Sequence, residues 1–449
     1  MKNIEDNGVL FSTRDLYKLI IPLLVEQLLA ITVGLADSVM VAGVGEAAVS
    51  AVSLVDSVNI LIINIFAALA TGGAVVVGQY LGRKNNEKAC GSTEQLVMVT
   101  LVLSIGIMAL IYLGKGFILN VLFGTITPEV KVQANIYLLI VASSIPFIAL
   151  YNGGAAVFRA MSNSRITMYI SIVMNLINVA GNALLIYGFN MGVAGAAIPT
   201  LLSRIIGAAI IIHLLRRESL PVHLRKGTRL RMDFHLIKKI LFIGIPSGLE
   251  NSMFQLGKIL VLSLVASFGT ASIAANAVSG TMGSYQILPG SAIGLALVTV
   301  VSRAVGAGDY KQVKYYTKKL MVIAYGAMFI VNVLFILALP IIVKIYNLSD
   351  VTGELTKEIL TYSAICSAII WPMAFTLPNV LRAASDVRYS MFVSIVSMWT
   401  FRIGLSYVLG KYMGMGVFGV WVAMTVDWVF RSIFFIIRYR SSKWQSIRI

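Results

Sequence analysis

The chain has 449 residues, of which 58% are hydrophobic and 12% are charged, and its formal net charge is +17. Soluble domains carry roughly 25% charged residues, and a soluble core cannot hide this much apolar surface. The composition therefore excludes an ordinary soluble protein and predicts a polytopic protein of the lipid bilayer.

Twelve apolar segments predict the membrane-spanning helices. A helix of about 20 residues, at about 1.5 Å per residue, crosses the roughly 30 Å hydrocarbon layer. In the first half, segments of this length are 19–42, 52–80, 94–114, 134–158, 167–188 and 192–215. In the second half they are 239–264, 271–304, 319–345, 358–381, 390–410 and 417–438. We expect an all-α integral membrane protein whose long second and eighth spans tilt or extend into the cytoplasm.

The positive charge is concentrated on one side of these spans. With both termini and the even-numbered loops on one side, only five of the 36 Lys and Arg residues lie on the other. Because cytoplasmic loops carry the excess of Lys and Arg, we expect a multi-pass protein of the plasma (inner) membrane with both termini in the cytoplasm. The basic segment 216–238 then lies beside anionic lipid and is not a nucleic-acid site.

The second half of the sequence repeats the first at a nearly constant offset. This offset aligns Pro22 with Pro246 and Glu26 with Glu250. Six spans in each half, an even number, give both halves the same orientation, so they form a parallel repeat.

The repeat predicts the domain organisation. We expect two six-helix lobes, 1–215 and 239–449, around a central cleft and joined by the linker 216–238. Parallel repeats with a site between the halves are typical of secondary transporters, although a channel can also be built from repeats. No Gly-Lys pair is followed by Ser or Thr, so no phosphate-binding loop is predicted. An ion gradient should supply the energy, unless a separate ATPase subunit exists.

Polar residues in the first half form a candidate cation site. Asp37 lies deep in the first span, where an ionisable residue costs on the order of 2.5–3.5 kcal/mol. It either loads and releases a proton or sodium ion, or it bonds neighbouring helices. The fifth span carries a polar stripe: Ser171, Asn175, Asn178 and Asn182. This stripe either packs helices together or lines a hydrated pocket with Asp37, which Thr200 of the sixth span completes.

Further polar residues are candidates for an additional polar cavity: Glu26, Asn175, Glu250, Gln255 and Lys258. Glu26 and Glu250 lie near the cytoplasmic ends of their spans and could equally be interfacial. Lys258 lies deeper and must pair or lose its charge. Asp427 and Arg431, four residues apart, are expected to form an ion pair within one helix. Arg204 and Arg402 are expected to pair with carboxylates or carbonyls, with no particular partner predicted.

Several stretches, taken in order, resemble one family along essentially the whole chain. They are ADSVMVAGVGEAAVSAVS, GQYLGRKN, VFRAMSNSR, GIPSGLENSMFQLGKILV, SRAVGAGDYKQV and VLRAASDVR. The chain thereby resembles the multidrug and toxic compound extrusion (MATE) family. The resemblance implies two lobes in a V that export organic cations and other amphipathic drugs against proton or sodium influx.

The resemblance is closer to the DinF-like branch, which has a first-span aspartate. It implies a proton or sodium site in the N-terminal lobe, at Asp37, Asn178, Asn182 and Thr200. Asn182 departs from the branch, which often has aspartate there; one carboxylate fewer should weaken sodium binding or change the stoichiometry. The other branch uses acids in spans seven and ten. Here span ten has no acid beyond Glu358 at its edge, so a second-half ion site is not expected.

These features together predict a secondary transporter that exports cationic or amphipathic drugs by alternating access. With one strong carboxylate site, we expect electroneutral exchange for a monovalent cationic drug. The alternatives are a flippase for a lipid-linked saccharide, which would need a strongly cationic cleft, or a channel or other non-transporting membrane protein. We expect no enzyme activity and no cofactor. The expected partners are a small molecule and the bilayer, with no nucleic acid, and we expect a monomer.

Overall fold

The computed structural model describes residues 10–124, 126–225 and 232–447, and every regular element in this part of the chain is a helix. Ten helices are long and apolar enough to cross a membrane, and two bent helix pairs raise the number to twelve. The predicted all-α, twelve-span class of fold therefore agrees with the helices of the described residues.

The helices of the first half are α1 (Thr13–Ala42), α2 (Glu46–Gly82), α3 (Asn86–Phe117), α4 (Pro128–Ser143), α5 (Ile145–Ala160), α6 (Ser164–Asn182) and α7 (Gly192–Leu215). Those of the second half are α8 (Phe234–Ala266), α9 (Thr270–Gln286), α10 (Leu288–Gly306), α11 (Tyr310–Ile345), α12 (Asp350–Ile369), α13 (Pro378–Ala383), α14 (Val387–Ser397) and α15 (Gly416–Arg440). Turns of π-helix extend several of them: Ile118–Leu122, Ala183–Gly188, Pro372–Thr376, Met398–Leu405 and Tyr407–Tyr412.

Equivalent residues in the two halves start equivalent helices. The side chain of Asn85 accepts a hydrogen bond from the backbone of Lys88 at the start of α3. Asp309, which the repeat offset aligns with Asn85, caps the start of α11 in the same way. Such caps satisfy backbone N–H groups that have no partner within the helix. The repeat therefore extends from the sequence to the local structure.

The predicted eighth span, 271–304, is interrupted. It forms two helices, α9 and α10, that meet at Ile287. Pro289 is in the first turn of α10, and because proline lacks an N–H and its ring clashes with the preceding turn, an unbroken helix is disfavoured here. The second predicted span, in contrast, is the single helix α2 of 37 residues. The prediction of one continuous eighth span was wrong.

Contacts divide the chain into two compact units. The N-unit is Tyr17–Gly248, and the C-unit is Leu249–Ile449 together with the segment that ends at Leu16. The boundary thus falls inside α8. The start of α8 packs on α2 so closely that a Cβ added at Gly72 would lie 2.5 Å from the backbone oxygen of Ile240. The lobes predicted as 1–215 and 239–449, and the cleft between them, stay predictions.

The segment ahead of α1 and part of the linker are held by named contacts. The backbone N–H of Phe11 donates to the Tyr316 hydroxyl at 2.7 Å, which ties this segment to α11 of the C-unit. In the predicted linker, Arg225 forms a 2.8 Å ion pair with Glu94 of α3. Residues 226–231 of the linker lie outside the described residues.

Candidate functional site

The polar residues predicted to hold a cation form one hydrogen-bonded network in the N-unit. Asn182 Nδ2 on α6 donates to Asp37 Oδ1 on α1 at 2.7 Å. The amide of Asn178, one turn earlier on α6, lies 3.0 Å from the Thr200 hydroxyl on α7. Asn182 Nδ2 is also 3.4 Å from Asn178 Oδ1. The structure therefore brings together all four residues that the resemblance implied.

Close packing of α6 against α7 makes this network possible. A Cβ added at Gly181 would lie 2.7 Å from Cβ of Pro199, and one added at Gly207 would lie 2.3 Å from Sδ of Met174. A larger residue at Gly181 would clash with the rigid ring of Pro199, and one at Gly207 would displace the side chain of Met174. The small residues thus set the distance at which Asn178 meets Thr200.

The Asn178 amide can satisfy its neighbours in two orientations. With its nitrogen toward Asp37, that nitrogen lies 2.8 and 3.2 Å from the two carboxylate oxygens, and the amide oxygen accepts from Thr200 at 3.0 Å. With its oxygen toward Asp37, the amide nitrogen donates to Thr200, whose hydroxyl donates to the backbone oxygen of Ala196 at 3.0 Å. Because a hydroxyl both donates and accepts, Thr200 serves either orientation.

The sequence analysis missed a second carboxylate near Asp37. Asp56 of α2 interacts electrostatically with Asp37, and its Oδ1 accepts a 3.3 Å hydrogen bond from the Tyr137 hydroxyl. The available signal was an acid a few residues inside the predicted second span. The expectation of a single carboxylate at this site was therefore wrong.

Arg204 of α7 supplies the positive charge of this site. Its Nη1 donates to Ser144 Oγ at 2.7 Å, and the guanidinium interacts electrostatically with both Asp56 and Asp37. Two carboxylates and one guanidinium leave a net charge of about −1 when all are ionised. Such a site is balanced by one monovalent cation.

The donor atoms of the site also suit a small cation. Asn182 Oδ1 is buried without a hydrogen-bond partner among the described residues, and Nδ2 of the same amide donates to the carboxylate of Asp37. Hard cations take carboxylate and amide oxygens as ligands. Within the described residues, no group of three or more His, Cys, Asp or Glu side chains could hold a metal ion, so any cation here would depend on the amide and hydroxyl oxygens as well.

Glu26 and Glu250, which could have been interfacial, instead form equivalent buried ion pairs. Arg159 Nη1 lies 3.2 Å from Glu26 Oε1 in the N-unit. Arg382 Nη2 lies 2.7 Å from Glu250 Oε1 in the C-unit. In each unit a hydroxyl completes the arrangement: Thr167 donates to Glu26 at 2.9 Å, and Ser394 donates to Glu250 at 2.7 Å. Both glutamates therefore hold helices together.

The five residues predicted for an additional polar cavity are divided between the two units. Glu26 and Asn175 belong to the N-unit, and the Asn175 Nδ2 is buried without a hydrogen-bond partner in the part of the chain that the structure describes. Glu250 and Lys258 line a cavity of about 590 Å³ in the C-unit, but Gln255 is not among its lining residues. Residues of one helix face different neighbours, which the sequence alone does not identify.

The walls of this C-unit cavity carry both paired and unpaired charge. The predicted ion pair between Asp427 and Arg431 is confirmed, with Arg431 Nε 2.8 Å from Asp427 Oδ1. Of the two alternatives expected for Lys258, the structure does not show the ion pair: Lys258 has no ion-pair partner among the described residues. Its Nζ lies 5.0 Å from the centre of the Phe254 ring. Arg402, left without a predicted partner, lies 4.7 Å from the same ring.

Comparison with protein families identifies the class of this molecule. The profile of the MatE family matches the chain twice, over residues 22–184 and 246–408. The two matches are displaced by the same offset as the internal repeat, and together they cover more than half of the chain. The chain belongs to the MatE family, which confirms the predicted family, while the closer resemblance to the DinF-like branch stays a prediction.

Named relatives and solved structures agree with this membership. The chain is 28% identical over 448 residues to the "Uncharacterized transporter YisQ" of Bacillus subtilis, covering 96% of this chain and 95% of the relative. It is 24% identical over 437 residues to the "Probable multidrug resistance protein NorM" of Thermotoga maritima, covering 96% and 93%. A solved outward-facing structure of a multidrug resistance MATE family transporter has a TM-score of 0.88 at 19% identity, covering 96% of both chains. The fold class is thereby confirmed.

Proposed function

We propose that this MatE-family chain is a secondary transporter that exports amphipathic, cationic small molecules by alternating access, in exchange for protons or sodium ions. The observation that carries this proposal is the Asp37 network. A carboxylate inside a membrane span costs free energy, so its presence indicates a functional role or a compensating partner. Here its partners, Asn178, Asn182 and Thr200, are groups that can reorganise when a cation binds.

Proton loading would change the network in a defined way. When Asp37 is ionised, the amide nitrogens of Asn178 and Asn182 both donate to its carboxylate. When Asp37 carries a proton, its O–H can donate to the Asn178 oxygen once that amide turns over, since the two heavy atoms are 2.8 Å apart. Thr200 then changes from donor to acceptor. The Asn178 amide and the Thr200 hydroxyl thus couple the protonation of Asp37 on α1 to a change in hydrogen bonding on α6 and α7.

A sodium ion would bind with the side-chain oxygen of Asn178 turned toward Asp37. In this orientation, the ion would meet oxygens of Asp37 and Asn178. Asn182 would add its Oδ1 once its amide, whose nitrogen donates to Asp37, turns over. The carboxylate supplies charge, and the amides supply neutral oxygen ligands.

The charge at the site favours electroneutral exchange. Asp37, Asp56 and Arg204 sum to about −1 when ionised, so one monovalent cation neutralises them. Exchange of that cation for one monovalent drug moves no net charge, and the membrane potential, about 2.3 kcal/mol per charge per 100 mV, would not contribute. We also propose a plasma-membrane location with both termini cytoplasmic, because the Lys and Arg residues lie mainly on one side.

The test is dye transport in proteoliposomes. A fluorescent cationic dye is followed under a pH gradient or a sodium gradient, with wild type, Asp37→Asn, and Asp350→Asn as a matched control. Asp350 is an exposed acid at the start of α12. We expect gradient-driven transport in wild type and Asp350→Asn, and a loss of about 100-fold or more in Asp37→Asn, which cannot exchange a proton and binds sodium weakly.

Three results would contradict the proposal. No dye movement under either gradient would favour the saccharide flippase or another substrate. Undiminished transport by Asp37→Asn would remove Asp37 from the mechanism. Currents that track the transport of a monovalent dye would rule out electroneutral exchange.

A further inference from the structure

The C-unit contains a cavity that the Asp37 network does not explain. It has a volume of about 590 Å³, which is within the range of pockets that bind drug-sized molecules. Much of its wall is aromatic, with Phe254, Trp371, Phe375, Trp421 and Trp428. An apolar or aromatic body of moderate size would therefore fit its walls.

The charged residues of this wall are not balanced. Arg382 is paired with Glu250, and Arg431 is paired with Asp427. Two further cations line the cavity, Lys258 and Arg402, and neither forms an ion pair with a described residue. The cavity therefore carries an excess of two positive charges over the carboxylates that the described part of the chain brings to it.

Arg402 is the most informative of these residues. It is only 8% exposed, and its Nη1 is buried without a hydrogen-bond partner among the described residues. A buried guanidinium donor left unsatisfied is costly. Arg402 lies in the π-helical segment Met398–Leu405.

Lys258 makes the imbalance greater. It interacts electrostatically with Arg402, and the two cations share the ring of Phe254, at 5.0 and 4.7 Å from its centre. Like charges repel, and contact with an aromatic ring compensates only part of that cost. An anion placed between them would relieve the repulsion and satisfy the free guanidinium nitrogen.

We propose that the C-unit cavity binds the anionic group of an amphipathic ligand, through Lys258 and Arg402, with its apolar body against the tryptophan-rich wall. The ligand class is a carboxylate, phosphate or sulfonate on an aromatic or aliphatic body. A soluble amphiphile and an anionic lipid share this chemistry. The proposal goes beyond the proposed function, because it assigns a site for negative charge to a chain whose other site attracts cations.

The test measures binding alone and requires no ion gradient. Full-length protein in nanodiscs of phosphatidylcholine is titrated calorimetrically with 2-naphthoate and, separately, with its neutral analogue 2-naphthamide. We expect the anion to bind about tenfold or more tightly than the amide. Lys258→Gln should weaken naphthoate binding by about tenfold or more and leave the amide within about twofold.

Two further variants separate a binding role from a folding role. Arg402→Lys keeps the positive charge but loses the planar donor pair, so it should fold and bind naphthoate with an intermediate affinity. Lys411→Gln removes the same charge as Lys258→Gln from an exposed position of the C-unit and should bind like wild type. Equal affinity for the two probes, or naphthoate binding that Lys258→Gln does not weaken, would overturn the proposal.

A second arm identifies the source of the natural ligand. Part of the phosphatidylcholine is replaced by phosphatidylglycerol, and naphthoate binding is measured for wild type and Lys258→Gln. A loss of naphthoate affinity in wild type that is absent in Lys258→Gln would show that an anionic lipid occupies the cavity. Unchanged affinity would indicate a soluble anion. Either result upholds the anion site. A protein that binds naphthoate but does not transport the dye would contradict only the proposed function.

Discussion

The two units are built from one repeat but have opposite electrostatic character. Asn182 of the Asp37 site aligns at the repeat offset with Ser406, which is not among the residues that line the C-unit cavity. The other five residues of the site and their equivalents are Asp37 and Val261, Asp56 and Gly280, Asn178 and Arg402, Thr200 and Met424, and Arg204 and Trp428. All five equivalents in the C-unit line its cavity. The same place in the fold is thus acidic and polar in the N-unit, and basic and aromatic in the C-unit.

The contrast shows which parts of the repeat are structural. The ion pairs Glu26–Arg159 and Glu250–Arg382 are present in both units, with a hydroxyl on each glutamate. The five aligned residues that distinguish the two sites differ in type. The shared pairs therefore belong to the helix packing of the fold, and the divergent positions are those at which each unit acquired its own ligand chemistry.

The largest expected effect is on the free energy of unfolding, and it tests whether Arg431 of the basic cavity wall stabilises the fold. Arg431→Met leaves the carboxylate of Asp427 buried and unpaired, which should lower the free energy of unfolding by about 3–5 kcal/mol. The side chains are 3% and 0% exposed. Chemical unfolding in mixed micelles measures this. Lys357→Gln, which breaks an exposed ion pair with Glu354, should cost less than about 1 kcal/mol.

The result would also separate Arg431 from Lys258. Because Lys258 has no carboxylate partner among the described residues, Lys258→Gln should leave the unfolding free energy unchanged within about 1 kcal/mol. A similar destabilisation by both variants would mean that Lys258 is a packing residue. The basic wall would then stabilise the fold and would not also bind a ligand.

The second prediction tests the equivalence of the repeated ion pairs. Arg159→Met and Arg382→Met each leave a buried glutamate without its cation. Each should cost about 3 kcal/mol, the lower end of the range, because these arginine side chains are 17% and 18% exposed. Unfolding of the two variants under identical conditions is the measurement. A loss confined to one variant would show that the pair is structural in only one unit.

The smallest effect concerns Asp56, which distinguishes the N-unit site from its glycine counterpart in the C-unit. Asp56→Asn leaves Asp37 and Arg204 as a neutral set, so an added cation no longer balances the site. We expect ion-driven dye transport to fall about tenfold, or about 1.4 kcal/mol. Initial rates in proteoliposomes measure this, with Asp350→Asn alongside. Rates equal to wild type would remove Asp56 from the site.

Much of this protein could be predicted from sequence because the relevant signals are local or periodic. Span length and the uneven placement of Lys and Arg follow from transfer of each residue into lipid. The repeat follows from comparing the chain with itself. Asp37 stands out as an acid in an apolar span, and the spacing of Asn178 and Asn182 places them on one helix face.

Only the tertiary structure decided which polar groups meet. Asp56 and Tyr137 lie 81 residues apart, and Glu250 and Arg382 lie 132 apart, so no local pattern could pair them. The same holds for Lys258 and Arg402, which come together on one ring only when α8 packs beside the segment after α14. The sequence by itself determined a twelve-span, twofold-repeated MatE protein with an intramembrane acid, because lipid acts on each residue separately. The tertiary structure decided the sign of charge in each unit, because that depends on long-range contacts between helices.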